Sequence, residues 1–180
     1  MGARDAGHVV VDGAGPLAAD AAHQLRRVGL VVRAGALAAD AELSGPGGAP
    51  PPALVVLVRD RAVPVWAGAP WQARGVPHLP VEATTSTTVG PLVLPGRSAC
   101  LACLARRRPP TVDRIPPPVD DPGRAVLAAA VVTVTALAVL RDDDRIAGIS
   151  TEIGPRAETV THRVWHAEPE CRCASARMAG

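Results

Sequence analysis

Cys100-Leu-Ala-Cys103 and Cys171-Arg-Cys173 contain all four cysteines of this chain. A C-x-x-C knuckle and a C-x-C knuckle can each turn two thiolates toward one ion. Together they form a closed four-sulfur shell, the ligand set of a structural zinc site. Disulfides, a redox C-x-x-C and free thiols are the other uses open to these residues. A redox motif leaves Cys171 and Cys173 unused, and a disulfide framework suits small secreted domains. The residues after Met1 run into a short strand instead of a long apolar segment, so no secretory signal is expected. A shared zinc uses all four thiolates, leaves no open coordination position for catalysis, and ties the middle of the chain to its C-terminal region across the 67 intervening residues.

A second arrangement is Gly13-Ala-Gly-Pro-Leu-Ala18, a G-x-G-x-x-A turn between a strand and a helix. In nucleotide-binding units Gly13 and Gly15 would let phosphates approach the helix N-terminus. The supporting residues are sparse. The second strand closes on Val32-Arg-Ala-Gly35 without the acid that binds a ribose, and Asp40 falls well beyond it. Pro16 removes an N–H where a phosphate would sit. Two readings follow: a nucleotide site, or a turn kept for packing, and the residues favour packing. His78 beside Pro77 reads as a structural histidine and His166 as a surface one. Arg97 reads as a charge on the Pro95-Gly96 turn. No Ser–His–Asp or Cys–His combination emerges.

The elements that position these residues can be read from periodicity and breakers. His8–Asp12 is a strand. Pro16–Val28 is a helix with Leu17, Ala21, Leu25 and Val28 on one face, ended by Gly29. Leu30–Arg33 is a second strand. A flexible loop is expected over 44–53, and Leu54–Val58 is a strand covered on both faces. Val63–Arg74 holds a short helix with Trp66 and Trp71, and Pro77–Val81 and Val89–Leu94 are further strands. An irregular connection is expected over 109–123, then an apolar helix over 124–141. A hairpin of Ile149–Ile153 and Glu158–Trp165 turns at Gly154-Pro155.

Composition limits the function. All 19 basic residues are arginine, which excludes lysine chemistry. The net charge of +2, with Trp66, Trp71 and Trp165 the only aromatic residues, argues against a nucleic-acid partner. Arg106-Arg-Arg108 reads as a solvated surface patch. Ala125–Leu140 is 16 residues without a charge, short of the roughly 20 needed to span a bilayer. It reads as a buried helix, with no membrane partner and a cytoplasmic location.

Gly75-Val-Pro-His-Leu-Pro-Val81, Val89-Gly-Pro-Leu-Val-Leu-Pro-Gly-Arg-Ser-Ala-Cys-Leu-Ala-Cys-Leu104 and Trp165-His-Ala-Glu-Pro-Glu-Cys-Arg-Cys173 resemble the E1-like (ThiF-like) proteins. Among them they are similar to the actinobacterial cyclodehydratase-partner and leader-peptide-binding proteins of azoline-forming, bacteriocin-type peptide pathways. The resemblance implies an α/β class, an abbreviated Rossmann-like E1 fold. This is a mostly parallel sheet with helices, ending in an antiparallel C-terminal hairpin pinned by the four-cysteine zinc site. It implies one domain over 1–180, with a Rossmann-like half (1–83) and a zinc-stapled half (84–180), pairing as a homodimer. In related adenylating enzymes ATP is held by the glycine turn, an acid after the second strand, Arg and Lys side chains, and an Asp after a later strand. Here that implies Gly13, Gly15 and Asp60, with the ribose acid and the Lys missing, so ATP and magnesium are not expected to bind. A winged-helix peptide-binding region found in such partner proteins is expected to be absent, which argues against direct leader-peptide binding. The expected role is a non-catalytic scaffold that assists a partner cyclodehydratase or presents a peptide substrate. An ATP-dependent adenylating enzyme acting on a peptide carboxylate or amide is the rival, and a dimer-forming structural subunit a third possibility.

Overall fold

Residues 7–45, 49–108, 121–171 and 173 are described by a computed structural model of the chain. The loop expected over 44–53 and the connection expected over 109–123 lie partly outside the described residues. Strand β1 (Val9–Asp12), helix α1 (Pro16–Arg27) and strand β2 (Val32–Gly35) form the opening β–α–β unit. Gly15, with φ of 87°, precedes the helix and Pro16 takes its first turn, where a missing N–H costs no helical bond. Strand β2 starts two residues later than the apolar run suggests. Val9 pairs with Val32, and Val31 is left 62% exposed at the sheet edge.

Helix α2 (Ala38–Ser44) has no counterpart among the elements read from the sequence. Strand β3 (Leu54–Arg59), helix α3 (Val65–Ala73) and strand β4 (His78–Ala83) follow. Strand β5 is only Thr87–Val89. The extension expected to Leu94 is broken after Gly90, since Pro91 has no N–H for the ladder, and Leu92 and Val93 make single bridges. Helix α4 (Leu101–Arg107) carries the first cysteine knuckle, and helix α5 (Pro122–Leu140) leads to the hairpin of β6 (Ile149–Ile153) and β7 (Val160–Val164).

One seven-stranded sheet has the order β2-β1-β3-β4-β5-β6-β7. The expectation of a mostly parallel sheet is corrected. Three of its six pairings are parallel and three antiparallel, so the sheet is mixed. The reason is local: β4 and β5 are joined by Thr84–Ser86 alone, and a link that short allows only an antiparallel return.

Alternate residues of the central strands feed two cores. Val9, Val11, Leu54 and Val56 face α1 and α5, whereas Val10, Val55 and Leu57 face α2, α3 and α4. With no Phe or Tyr, the first core closes through small side chains. Ala18, Ala21, Ala22 and Leu25 of α1 and Ala128, Val132 and Ala136 of α5 belong to one buried cluster. Helix α5 is long and apolar enough, by length and composition, to cross a membrane. Here one face of it is buried, but Val126 and Val134 are 69% and 64% exposed, so its burial is one-sided.

Candidate metal centre and glycine-turn cavity

Cys100 is the N-cap residue of α4 and Cys103 lies on its first turn, so helical spacing brings both thiols to one side. The chain after β7 returns Cys171 and Cys173 to the same point. All four sulfurs are buried and lie within 4.8 Å of one another. Cys100 Sγ is 3.7 Å from the sulfurs of Cys103 and Cys171, and Cys103 Sγ is 3.5 Å from that of Cys173. A disulfide needs about 2.05 Å. A tetrahedron of thiolates around zinc, with bonds of about 2.3 Å, has sulfur–sulfur edges of about 3.8 Å. The donor set and spacing therefore fit one tetrahedral ion, and the four cysteines could hold it.

The surroundings of the four thiols are unequal. Burial pushes the Cys100 and Cys173 thiols above their ordinary range. Burial also pushes Cys171 up, but hydrogen bonds from the Cys173 backbone and the other three sulfurs outweigh it and bring this thiol to about 7. The backbone N–H of Glu168 donates to Cys103 Sγ at 3.4 Å, a contact suited to a thiolate.

Two arginines at the end of α4, Arg107 and Arg108, fasten this centre, while Arg106 is exposed as the surface-patch reading expects. Arg107 pairs with Glu168. Arg108 reaches both oxygens of Glu82, at 2.6 and 2.8 Å. Its guanidinium also lies 5.9 Å from the Trp165 ring centre, and that of Arg163 lies 4.1 Å from it. Trp165 Nε1–H donates to Ser150 Oγ at 2.8 Å. Arg97 pairs with Asp144, and His166 is exposed. His78 is 1% exposed, and its Nδ1 lies 3.1 Å from the Val76 carbonyl oxygen. Burial lowers its pKa from 6.5 to about 4.

The glycine turn opens onto a separate cavity of about 710 Å³ at the C-terminal edge of the parallel strands. Here β1 lies between β2 and β3, and the chain passes from β2 back across β1 to β3, so the strand order reverses at the kind of switch point where α/β sheets form crevices. Gly13, Gly15 and Asp60 all line the cavity. Gly13 is needed for packing, because a Cβ there would lie 2.7 Å from the Val58 carbonyl oxygen. Gly15 is needed for its positive φ, and the space beside it is open. Asp60 is 69% exposed and pairs with Arg61 at 3.3 Å.

The dominant polar feature is one the motif does not name. Asp12, at the end of β1, accepts from Arg59 Nη2 at 2.5 Å and from the Ala39 N–H at 2.9 Å. Arg59 Nη1 donates to the carbonyls of Asp12 and Val58 at 2.9 and 2.8 Å. Its guanidinium thus staples the ends of β1 and β3. A sequence signal existed: both residues close apolar strands. Asp40, placed by α2, also lines the cavity, as do Trp66, Trp71 and Arg124.

No family model matches this chain, and no curated protein matches it. Solved structures do. A heterocyclase in complex with substrate and cofactor superposes with a TM-score of 0.71 at 14% identity, covering 93% of this chain and 25% of that one. The heterocyclase TruD gives 0.65 at 15% identity, covering 92% and 26%. Escherichia coli MccB, a microcin C7 biosynthetic enzyme, gives 0.61 at 16% identity, covering 86% and 48%. The chain spans about a quarter of the length of those heterocyclases and about half that of MccB. It has the fold these proteins contain, in agreement with the E1-like resemblance.

Proposed function

We propose that the chain is a non-catalytic scaffold in the biosynthesis of a ribosomally made, modified peptide. It assists a partner cyclodehydratase or presents the substrate peptide to it. The shared fold with heterocyclases supports the pathway. The observation that carries the non-catalytic part is the state of Arg59. This guanidinium is held by Asp12 and two strand carbonyls, not directed at a phosphate. No lysine is available to replace it, and β2 ends at Gly35 without an acid. Charge held ready for the transition state supplies most of the barrier lowering in adenylyl and phosphoryl chemistry. An Arg59 already held in this way does not supply it.

In this reading one zinc, bound by Cys100, Cys103, Cys171 and Cys173, acts as a structural crosslink between α4 and the segment after β7. The chain is one cytoplasmic domain over 1–180. A second copy pairs with it, supported by exposed Val126 and Val134 on α5 and by Val160 and Val164 on β7, which are 45% and 58% exposed.

The rival is an ATP-dependent adenylating enzyme. In its favour are the size of the cavity and the presence of Asp40 in its lining. MccB, which shares the fold, has been solved with ATP. Pyrophosphate release by the purified chain with ATP, magnesium and peptide separates the two. The scaffold reading expects none, and turnover that is lost on Gly15→Val establishes the rival.

A further inference from the structure

We infer that the metal state of the four-cysteine centre sets the order of α3, the helix that lines the glycine-turn cavity with Trp66, Ala67, Pro70 and Trp71. This rests on the structural zinc proposed above and gives that zinc a second role, keeping a cavity wall in place.

Helix α3 is a weak helix by its own sequence. It has nine residues, its N-cap Pro64 offers no side-chain acceptor, and Pro70 lies inside it. Pro70 has no N–H to give to the preceding turn, and Gly68 adds backbone freedom that folding must remove. Helices this short are marginal without tertiary contacts. The order of α3 is therefore set by what it packs against. Its Ala67 and Trp71 share one buried cluster with Leu101, Leu104 and all four cysteines.

Two separate links join α3 to α4, the helix of the first knuckle. The first is close packing. A Cβ at Gly68 would lie 2.6 Å from Leu101 Cδ1, and Leu101 stands between Cys100 and Cys103. The second is a buried carboxylate. Glu82, 8% exposed at the end of β4, accepts from the Val63 N–H at 3.0 Å, just ahead of α3. Its two oxygens also receive Arg108 Nη1 at 2.6 and 2.8 Å, and Arg108 is the C-cap of α4. The start and the middle of α3 are thus gripped by the two ends of α4. Helix α4 has only seven residues and no capping side chain, so its knuckle is an anchor it cannot spare. When the anchor goes, Leu101 leaves Gly68 and Glu82 is left buried without its guanidinium, a costly state. Helix α1 lies on the other face of the sheet, where Ala18, Ala21, Ala22 and Leu25 belong to the other core, and it is spared.

The test is amide hydrogen exchange on the full chain, zinc-loaded and after removal of zinc by a chelator, with zinc content measured alongside. Zinc removal should speed exchange over 63–73 by at least about tenfold and change α1 by less than about twofold. Glu82→Gln keeps the side-chain shape and removes the ion pair. It should still bind one zinc per chain, yet show faster exchange in α3 with zinc bound. Coupling is reciprocal, so its zinc affinity in competition with a chelator should fall by about tenfold, although Glu82 is not a ligand. Gly68→Ala should act in the same direction through Leu101, and if either variant fails to fold the wild-type comparison still decides. Exchange over 63–73 indifferent to zinc, an equal rise in α1 and α3, or wild-type zinc affinity in both folded variants overturns the coupling. Zinc bound at one per chain with α3 indifferent to its loss overturns the coupling alone. A chain that takes up no zinc overturns the structural zinc and the coupling together.

Discussion

Gly13→Ala separates a turn kept for packing from one kept for a ligand. An alanine Cβ at this position would lie 2.7 Å from the Val58 carbonyl oxygen and 2.8 Å from Val58 Cβ. Comfortable carbon contacts are about 3.5–4.0 Å. Neither strand end can yield easily. Strands β1 and β3 are paired up to Asp12 and Leu57, and Arg59 clamps the carbonyls of Asp12 and Val58 together just beyond. Overpacking of this kind costs about 1–3 kcal/mol. For a chain of this size each kcal/mol lowers Tm by roughly 2–4 °C, so a fall of roughly 2–12 °C is expected. The assay is thermal unfolding followed by circular dichroism in the absence of any nucleotide. A ligand-approach role for Gly13 predicts unchanged stability without the ligand. A Tm within about one degree of wild type would refute the packing argument.

Cys171→Ser should reduce bound zinc well below one per chain and melt the hairpin region. It would forfeit a large part of the roughly 10–16 kcal/mol of apparent zinc binding typical of such sites; elemental analysis and proteolysis read both effects. His78 makes stability fall as pH falls. Its pKa is 6.5 unfolded and about 4 in the fold, so the unfolded chain binds more protons throughout that window. The contribution is complete above pH 6.5 and is lost as pH drops toward 4, in total about 3 kcal/mol. His78→Asn should flatten denaturation midpoints measured from pH 7 to 5, and an unchanged slope would remove histidine as the cause. Wild-type chain should show a dimer mass by light scattering, and Val126→Glu with Val134→Glu should show a monomer mass. A wild-type monomer at high concentration would rule out the pairing.

Much of the scaffold was legible in the residues themselves. The three- and four-residue spacing of α1, the unbroken apolar run of β3 and the Gly154-Pro155 turn each point to one structure by one mechanism. The four cysteines were legible as a set because two short-spaced pairs can each turn two thiolates toward one ion. Helix α2 was not legible. It spans seven residues, its N-cap Leu37 offers no side-chain acceptor, and it is held by residues distant in sequence, Asp12 accepting from the Ala39 N–H and His8 contacting Glu42. The start of β2 was misplaced because Leu30 and Val31 are apolar, whereas the register with β1 is what sets the boundary. The Asp12–Arg59 staple joins residues 47 positions apart and depends on strand order, which a local pattern does not encode. Asp40 was passed over because the distance from β2 was counted along the chain, while α2 folds it back to the cavity.

The most direct test of the central claim is reconstitution. A cyclodehydratase from the same biosynthetic cluster should be assayed on its peptide with and without this chain. Water loss is followed by mass spectrometry, and phosphate and pyrophosphate are followed in parallel. The scaffold account predicts faster heterocycle formation when the chain is added, no ATP consumption by the chain alone, and the same stimulation from a Gly15→Val variant that retains its fold. ATP turnover by the chain alone that disappears in Gly15→Val, or heterocycle formation indifferent to the chain, would contradict it.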